Sequence, residues 1–361
     1  MDLGAIARNY RRLKSRVGER VAVIPVVKAD AYGHGAVPVA RRLEREGARM
    51  FAVAIAEEGV ELRRAGVAGE ILLLNVSDPS DLALHRGYGL TPALHDLAQA
   101  EAFARAAEAL AAPLPVHVNF DTGMGRLGIQ PEEIGALIEI LRRAPRLALS
   151  GVFAQLSSAE EPASPATPVE IRGLSSAVAA LRAAGVEPGL VHLANSAGVL
   201  AHPDSHFDAV RPGLSLYGVL PSERFAEEDL EPAMTLTTRV LSVRRVAART
   251  PLGYGGMFVT GRPSTIAVLP IGYHDGLRRS FSGRVSVLLR GREAPIVGAV
   301  SMDLTLVDAT DCGASPGDPV VCLGSDAGLR VTSWDLARAA GTIPYEILCG
   351  IGPRVARAYH S

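Results

Sequence analysis

Lys28 stands where an apolar run, VAVIPVV (21–27), opens into the polar segment KADAYGHG (28–35). Lysine is rarely buried without a partner, so an amine at the end of a buried strand either reaches solvent or does covalent chemistry. Held away from water, such an amine has a lowered pKa and can condense with an aldehyde as a Schiff base. Other strand-like runs end in groups that complement it. LPVHVNF (114–120) leads into DTGMGRLG, which delivers Arg126 from a glycine-rich turn. LVHLA (190–194) leads into NSAG, with Ser196 opening a helix, and DAVRPGLSLYG (208–218) carries Arg211 and the flexible Gly213. Amine, guanidinium and hydroxyl groups offered from several strand ends suit an anionic cofactor.

Those strand ends need a scaffold that brings them together. The remaining apolar runs are FAVAI (51–55), ILLLNV (71–76), the short LTPAL (90–94) and LALSGVFAQL (147–156). Amphipathic stretches separate them: AVPVARRLEREG, EEGVELRRAG, an alanine-rich segment over 96–112, PEEIGALIEILRRA with Pro131 in its first turn, and a helical stretch near 166–184. Near-continuous apolar strands are what a parallel sheet covered by helices requires. Eight such strands alternating with helices predict an α/β fold, a closed (β/α)8 TIM-type barrel, with the active site at the C-terminal ends of its strands. The texture changes after about residue 222. MTLTTRVLSVRRV, STIAVLPIGY, RVSVLLRG, APIVGAVSMDLTLVDA and DPVVCLG are rich in Val, Thr and Ile and bounded by turn residues. With one helix expected at TSWDLARAAG, the chain reads as a barrel over 1–222 and a mainly β C-terminal domain over 223–361, joined by the polar PSERFAEEDLEP.

Composition narrows the partners. The 361 residues carry a net charge of −1, which gives no electrostatic reason to expect nucleic acid or an anionic membrane. The first twenty residues are charged throughout and lack the apolar core of a signal peptide, and no apolar stretch approaches a membrane span. Cys312, Cys322 and Cys349 are scattered, with no CxxC, so neither a disulfide framework nor a zinc site is expected. A soluble, cytoplasmic protein without a metal is the expectation.

In this order and spacing, KADAYGHG, DTGMGRLG, HLANSAG, VRPGLSLYG, GYGG, IGYHDG, SMD and PYE resemble the alanine racemase family over nearly the whole chain. KADAYGHG with DTGMGRLG is the specific pair. The resemblance implies a pyridoxal 5'-phosphate enzyme that interconverts L- and D-alanine and supplies D-alanine for peptidoglycan precursors. It implies that Lys28 holds the cofactor as a Schiff base. Tyr32, Ser196, the amides near Gly213 and Leu214, and Tyr345 would cradle its phosphate, in keeping with what hydroxyls and loop amides do. Arg211 would face the pyridine nitrogen, with His192 behind it. A permanently charged guanidinium disfavours protonation of that nitrogen and makes the cofactor a weaker electron sink. Arg126 would meet the cofactor's phenolic oxygen and the substrate carboxylate. Tyr254 would be a second base opposite Lys28, and Met302 and Asp303 would lie near the substrate, all three contributed across a homodimer with shared active sites. A phenol serves as a base only where a nearby cation stabilises the phenolate.

The chain departs from the commonest family pattern at two positions. Asn119 stands where a lysine is usually carbamylated beside the substrate arginine, and Gln155 stands where the sixth strand usually ends in histidine. A small anion between the Asn119 amide and Arg126 is one expected substitute for the carbamate. The segment ahead of Asp2 is also shorter than the family's first β-domain strand. Structural roles are expected elsewhere: packing for Tyr88, Tyr217 and Met124, a turn for Asp121, and a core anchor for Trp334. Tyr273 is read either as a packing residue or as part of the substrate entrance. His34, His85, His95, His202, His206 and His360 read as surface or loop residues. Two other functions are weighed against alanine racemisation. One is a racemase of broader substrate range; the other is a non-catalytic pyridoxal-phosphate carrier, which lacks a β-domain. A related decarboxylase fits less well, because its second acid is usually a cysteine.

Overall fold

The computed structural model describes residues 1–225 and 228–361, so two residues of the expected linker, 226 and 227, lie outside the described residues. Each apolar run becomes a parallel strand: β1 Ala22–Val23, β2 Met50–Val53, β3 Glu70–Val76, β4 Leu90–Leu94, β5 Leu114–Asn119, β6 Leu147–Phe153, β7 Leu190–His192 and β8 Ala209–Val210. Their order is β1-β8-β7-β6-β5-β4-β3-β2, and a parallel bridge from Val26 to Ala52 closes the ring. This is the barrel that the strand count implied. Helices Ala36–Arg45, Ala56–Arg64, Leu97–Ala107, Ile134–Arg143 and Ala166–Ala183 occupy the predicted amphipathic stretches. Ala36–Arg45 shows why: Ala36, Val39, Ala40 and Leu43 are buried at helical spacing while its arginines point away from that stripe.

The charged N-terminus is itself a helix, Leu3–Val17. It buries Ile6, Tyr10 and Leu13 on one face, and on the other Arg8 and Arg12 pair with Glu231 and Arg16 with Glu228.

Two compact units result: Leu3–Ala31 with Gly35–Glu231, and Met1–Asp2 with Tyr32–His34 and Pro232–Ser361. The second is a mainly antiparallel sheet. Its strands run in the order Ser242–Val246, Ser264–Leu269, Thr305–Asp308, Arg292–Val297, Ser286–Leu289, Pro319–Asp326, Leu329–Val331, with Leu236–Arg239 also on Pro319–Asp326. Leu252, Ile266 and Val297 centre one apolar cluster. A separate hairpin, Pro251–Leu252 with Phe258–Val259, carries Tyr254 at its tip. Gly253, Gly255 and Gly256 have φ of 70°, 70° and 58°, conformations that glycine adopts without steric cost, which is why the tip reads GYGG. The expected helix forms at Ser333–Ala340, opened by a reciprocal cap between Thr332 and Asp335. Trp334 is only half-buried on that helix rather than a core anchor, because the inward stripe is Ser333, Leu336 and Ala337. Among the described residues no helix is long and apolar enough to cross a membrane.

Candidate active site

The segment that continues strand β1 is pinned from both sides just before Lys28. Val26 N–H donates to Pro212 O at 3.0 Å, Val27 N–H donates to Ala52 O at 2.9 Å, and the buried Tyr217 hydroxyl donates to Val26 O at 2.8 Å. The chain then changes hand. Ala29, Asp30, Ala31 and Tyr32 have φ of 52°, 53°, 54° and 53°, so Lys28–Gly33 is a left-handed turn made almost wholly of non-glycine residues. Each such residue costs about 1–2 kcal/mol relative to the right-handed form. Half-buried Lys28 lines a cavity of about 480 Å³ together with His95, Asn119, Arg126, Phe153 and Gln155.

Arg211 is only 4% exposed and is held on every side. One terminal nitrogen donates to His192 Nδ1 at 2.5 Å and His192 O at 3.0 Å; the other donates to Ala154 O at 2.7 Å, Gln155 Oε1 at 2.6 Å and Leu193 O at 3.1 Å. Its Nε–H has no protein acceptor among the described residues. Because arginine only donates, His192 Nδ1 must accept. The His192 proton therefore sits on Nε2 and is donated to His117 Nδ1 at 2.9 Å. Burial, then the charge of Arg211, lowers His117 to about 3, and the same two causes hold His192 well below the usual histidine range. Both rings are neutral near pH 7. Burial lowers Arg211 to about 9, so it stays charged there. Phe153 fills the gap, stacked on His192 at 5.1 Å between centroids, with the Arg211 guanidinium 5.2 Å from its ring centre.

Arg126 is the opposite case. It is exposed, and its guanidinium makes no hydrogen bond or ion pair among the described residues. Its loop is fixed through the backbone instead. Asn119 Nδ2 donates to Leu127 O at 2.8 Å, Ile129 N–H donates to Asn119 O at 2.8 Å, and Asp121 Oδ1 accepts from the amides of Gly123 and Gly125 at 3.1 and 3.0 Å. Asp121 is thus the turn-former it was read to be. The second Asn119 N–H faces His95 Nδ1 at 3.1 Å, and Asn119 Oδ1 is buried without a partner among the described residues. An anion held by the Asn119 amide is therefore not what this geometry supports, since both hydrogens are committed and the atom left over is an acceptor.

Ser196 gathers the third group. Its hydroxyl oxygen accepts from Gly213 N–H at 3.0 Å and Ser215 N–H at 3.2 Å, with Leu214 buried between them. The fully buried Ser215 hydroxyl has no partner among the described residues. Within the β unit, the Tyr32 and Tyr345 rings lie 5.6 Å apart, and burial, then the neighbouring Tyr345 and Cys349, pushes the Tyr32 phenol upward. Also in that unit, Tyr254 is 74% exposed at its hairpin tip and Met302 is 51% exposed. Asp303 Oδ1 accepts from Arg354 at 2.6 Å, and the same guanidinium holds Asp275 through two bonds of 2.5 and 3.0 Å. Those bonds, Asp275 first, raise Arg354 and lower Asp275 from their ordinary values.

Thus Lys28 and Arg126 share one cavity, Gln155 joins that cavity to the Arg211–His192 pair, and Ser196 organises Gly213. Met302 and Asp303 sit on a loop braced by Arg354. Sequence reasoning missed His117, Ser215 and Arg354. His117 was findable, since it lies two residues before Asn119 on the same face of β5. Of the histidines expected at the surface or in loops, His34, His95 and His206 do lie in turns or loops yet are buried, and His85 is buried on the short helix Leu82–Gly87.

The alanine racemase N-terminal domain family matches residues 1–221, and the alanine racemase C-terminal domain family matches residues 233–359. A curated alanine racemase of Symbiobacterium thermophilum is 42% identical, covering 99% of this chain and 96% of its own length. Among solved structures, an alanine racemase from a D-cycloserine-producing Streptomyces lavendulae superposes with a TM-score of 0.95 at 35% identity, covering 100% of this chain and 96% of that one. The Bartonella henselae alanine racemase with covalently bound pyridoxal phosphate gives 0.91 at 32% identity, covering 100% and 98%.

Proposed function

Because the chain belongs to the alanine racemase family, we propose that it is a two-base racemase in which Lys28 and Tyr254 move the α-proton of alanine. The enzyme is an isomerase with pyridoxal phosphate as its cofactor. The residues present fit that group. A lysine lines a cavity of about 480 Å³, the Arg211 Nε–H is an unclaimed donor for a ring nitrogen, and the orphaned Ser215 hydroxyl adjoins the Ser196 cradle for a phosphate. Pyridoxal phosphate, when bound, supplies the electron sink that acidifies the Cα–H of an amino acid joined to it.

The chain's own groups do the rest. Lys28 Nζ would hold the cofactor and then exchange a proton with Cα on one face. The Tyr254 phenol, brought by a second copy of the chain, would exchange a proton on the other. Arg126, its guanidinium unclaimed by protein, would take the substrate carboxylate through paired N–H bonds, and the Met302 amide would be a further donor to it. The Asp303 carboxylate, already held by Arg354, would position Met302 rather than meet substrate. Arg211 would present a fixed positive charge to the cofactor ring, oriented by His192 and Gln155. Tyr32 and Tyr345 would add hydroxyls to the phosphate cradle. The exposed apolar side chains of Tyr254, Met257, Val259, Met302 and Leu304 favour a covered surface, and hence a homodimer.

The observation that carries this reading is the shared cavity of Lys28 and Arg126. Borohydride treatment of the holoenzyme should fix cofactor on Lys28, and a racemisation panel should favour alanine. Label on another lysine would overturn the assignment. Equal rates across larger amino acids would replace alanine with a broad substrate range, and cofactor binding without racemisation would leave a carrier.

A further inference from the structure

We propose that Glu58 is a positioning residue for Lys28, acting through the left-handed turn that follows the lysine. Glu58 sits in the first turn of helix Ala56–Arg64, and its two oxygens meet two different segments, the turn after Lys28 and the residues that follow β2. Oε1 accepts from Ala29 N–H at 2.6 Å, while Oε2 accepts from Ala54 N–H at 2.7 Å and, more loosely, from Ile55 N–H at 3.4 Å. One carboxylate thus ties the exit of β1 to the exit of β2.

The Ala29 amide is the peptide unit joined to the Lys28 carbonyl. Fixing it fixes ψ of Lys28 and so the direction in which the lysine leaves the barrel wall. The need is specific, because the four residues after Lys28 all have φ between 52° and 54° and none is glycine. Left to itself this segment favours the right-handed form. Its far end is held by Asp30, whose carbonyl accepts from Gly35 N–H at 2.8 Å and whose Oδ1 accepts from Ala36 N–H at 2.7 Å. The near end has Ala31 N–H on Val27 O at 2.9 Å and the charge-assisted bond to Glu58. A helix cap explains the bonds to Ala54 and Ile55. It does not explain the bond to Ala29, twenty-nine residues away in sequence.

The inference rests on the reading that Lys28 holds the cofactor, and the test separates the two. Glu58→Gln keeps the shape but has one acceptor oxygen for two segments, so one tie is lost. In the cofactor-free protein, hydrogen exchange over 28–36 should rise about tenfold while exchange over 58–64 stays at the parent rate. In the holoenzyme, cofactor affinity should fall about tenfold and kcat should fall more than KM changes. Adding Ala29→Gly, which removes the left-handed penalty at that residue, should recover most of the affinity, because the tie is then needed less. A cap-only role predicts no rescue by Ala29→Gly and equal exchange changes in both segments, and either result overturns the proposal. Should Glu58→Gln fold poorly, Glu58→Asp shortens the reach to Ala29 and is read against the same two segments. Borohydride label on a lysine other than Lys28 in the parent enzyme removes the cofactor reading but leaves the exchange result to judge the tie.

Discussion

Arg211 and Arg126 leave strand ends of the same barrel, yet they are held in opposite ways. Arg211 is buried, and both terminal nitrogens are taken by a histidine, a glutamine and backbone carbonyls. Arg126 is exposed with its fork open, while Asn119 and Asp121 stiffen the loop beneath it. The difference teaches how one residue type serves two ends. A guanidinium locked by neutral acceptors is a fixed charge that cannot follow a ligand. One carried on a rigid loop with its donors unspent can close on a carboxylate that comes and goes.

The sharpest way to break this contrast is to delete each arginine. Arg211→Ala leaves the buried Ala154 and Leu193 carbonyls and His192 Nδ1 with nothing to accept from and frees the half-buried Gln155 oxygen, a loss on the order of 3 kcal/mol or more. A clear fall in Tm and loss of cofactor binding are expected. Arg126→Ala should leave Tm nearly unchanged and raise KM for alanine about ten- to a hundredfold. If calorimetry shows equal losses of stability, the two arginines are not held differently.

A smaller effect tests the neutral histidines behind Arg211. His117 is lowered from 6.5 to about 3 in the fold, and His192 is lowered as well. Below the unfolded value the unfolded chain takes up protons that the native rings refuse, so stability falls as pH drops from about 6.5 toward 3. His117 contributes up to about 1.4 kcal/mol per pH unit in that window, and His192 acts in the same direction. Unfolding measured from pH 7.5 to 5 should therefore steepen below about 6.5, and His117→Asn, although less stable at pH 7.5, should show a shallower acid limb. An identical acid limb in the variant would place the proton uptake elsewhere.

How much of this was legible depends on the range of the signal. The barrel strands were readable because parallel strands buried on both faces are apolar runs, and even the short LTPAL (90–94) proved to be a strand. Lys28 and Arg126, which line one cavity, could be singled out because they lie just past those runs. The N-terminal helix was hidden because its arginines dominate the composition, while its inward residues are only one stripe. The left-handed turn was invisible, since Ala, Asp, Ala and Tyr carry no preference for positive φ and their conformation is imposed by ties from Glu58 and Asp30. Arg354 was equally silent, because its partners Asp275 and Asp303 lie 79 and 51 residues away. The Asn119 substitution was plain in the sequence; which of its atoms faces the arginine loop was not, because that depends on Leu127 O and His95.

Gln155 touches both halves of the comparison, since it binds Arg211 and lines the cavity that Arg126 borders. Its oxygen is one of three acceptors for the same Arg211 nitrogen, beside Ala154 O at 2.7 Å and Leu193 O at 3.1 Å. Removing it leaves that nitrogen satisfied, so Gln155→Leu should cost no more than about 1 kcal/mol and should keep the cofactor. With the oxygen committed to Arg211, what Gln155 offers the cavity is its NH2, a neutral donor that cannot titrate. Gln155→Leu should therefore lower kcat by less than about tenfold with no shift in its pH profile, whereas Gln155→His should introduce a new limb near the histidine range. A Gln155→Leu loss as large as that of Arg211→Ala would mean that a single side chain, not the redundant set of carbonyls, holds the buried arginine, and the contrast with Arg126 would then reduce to one hydrogen bond.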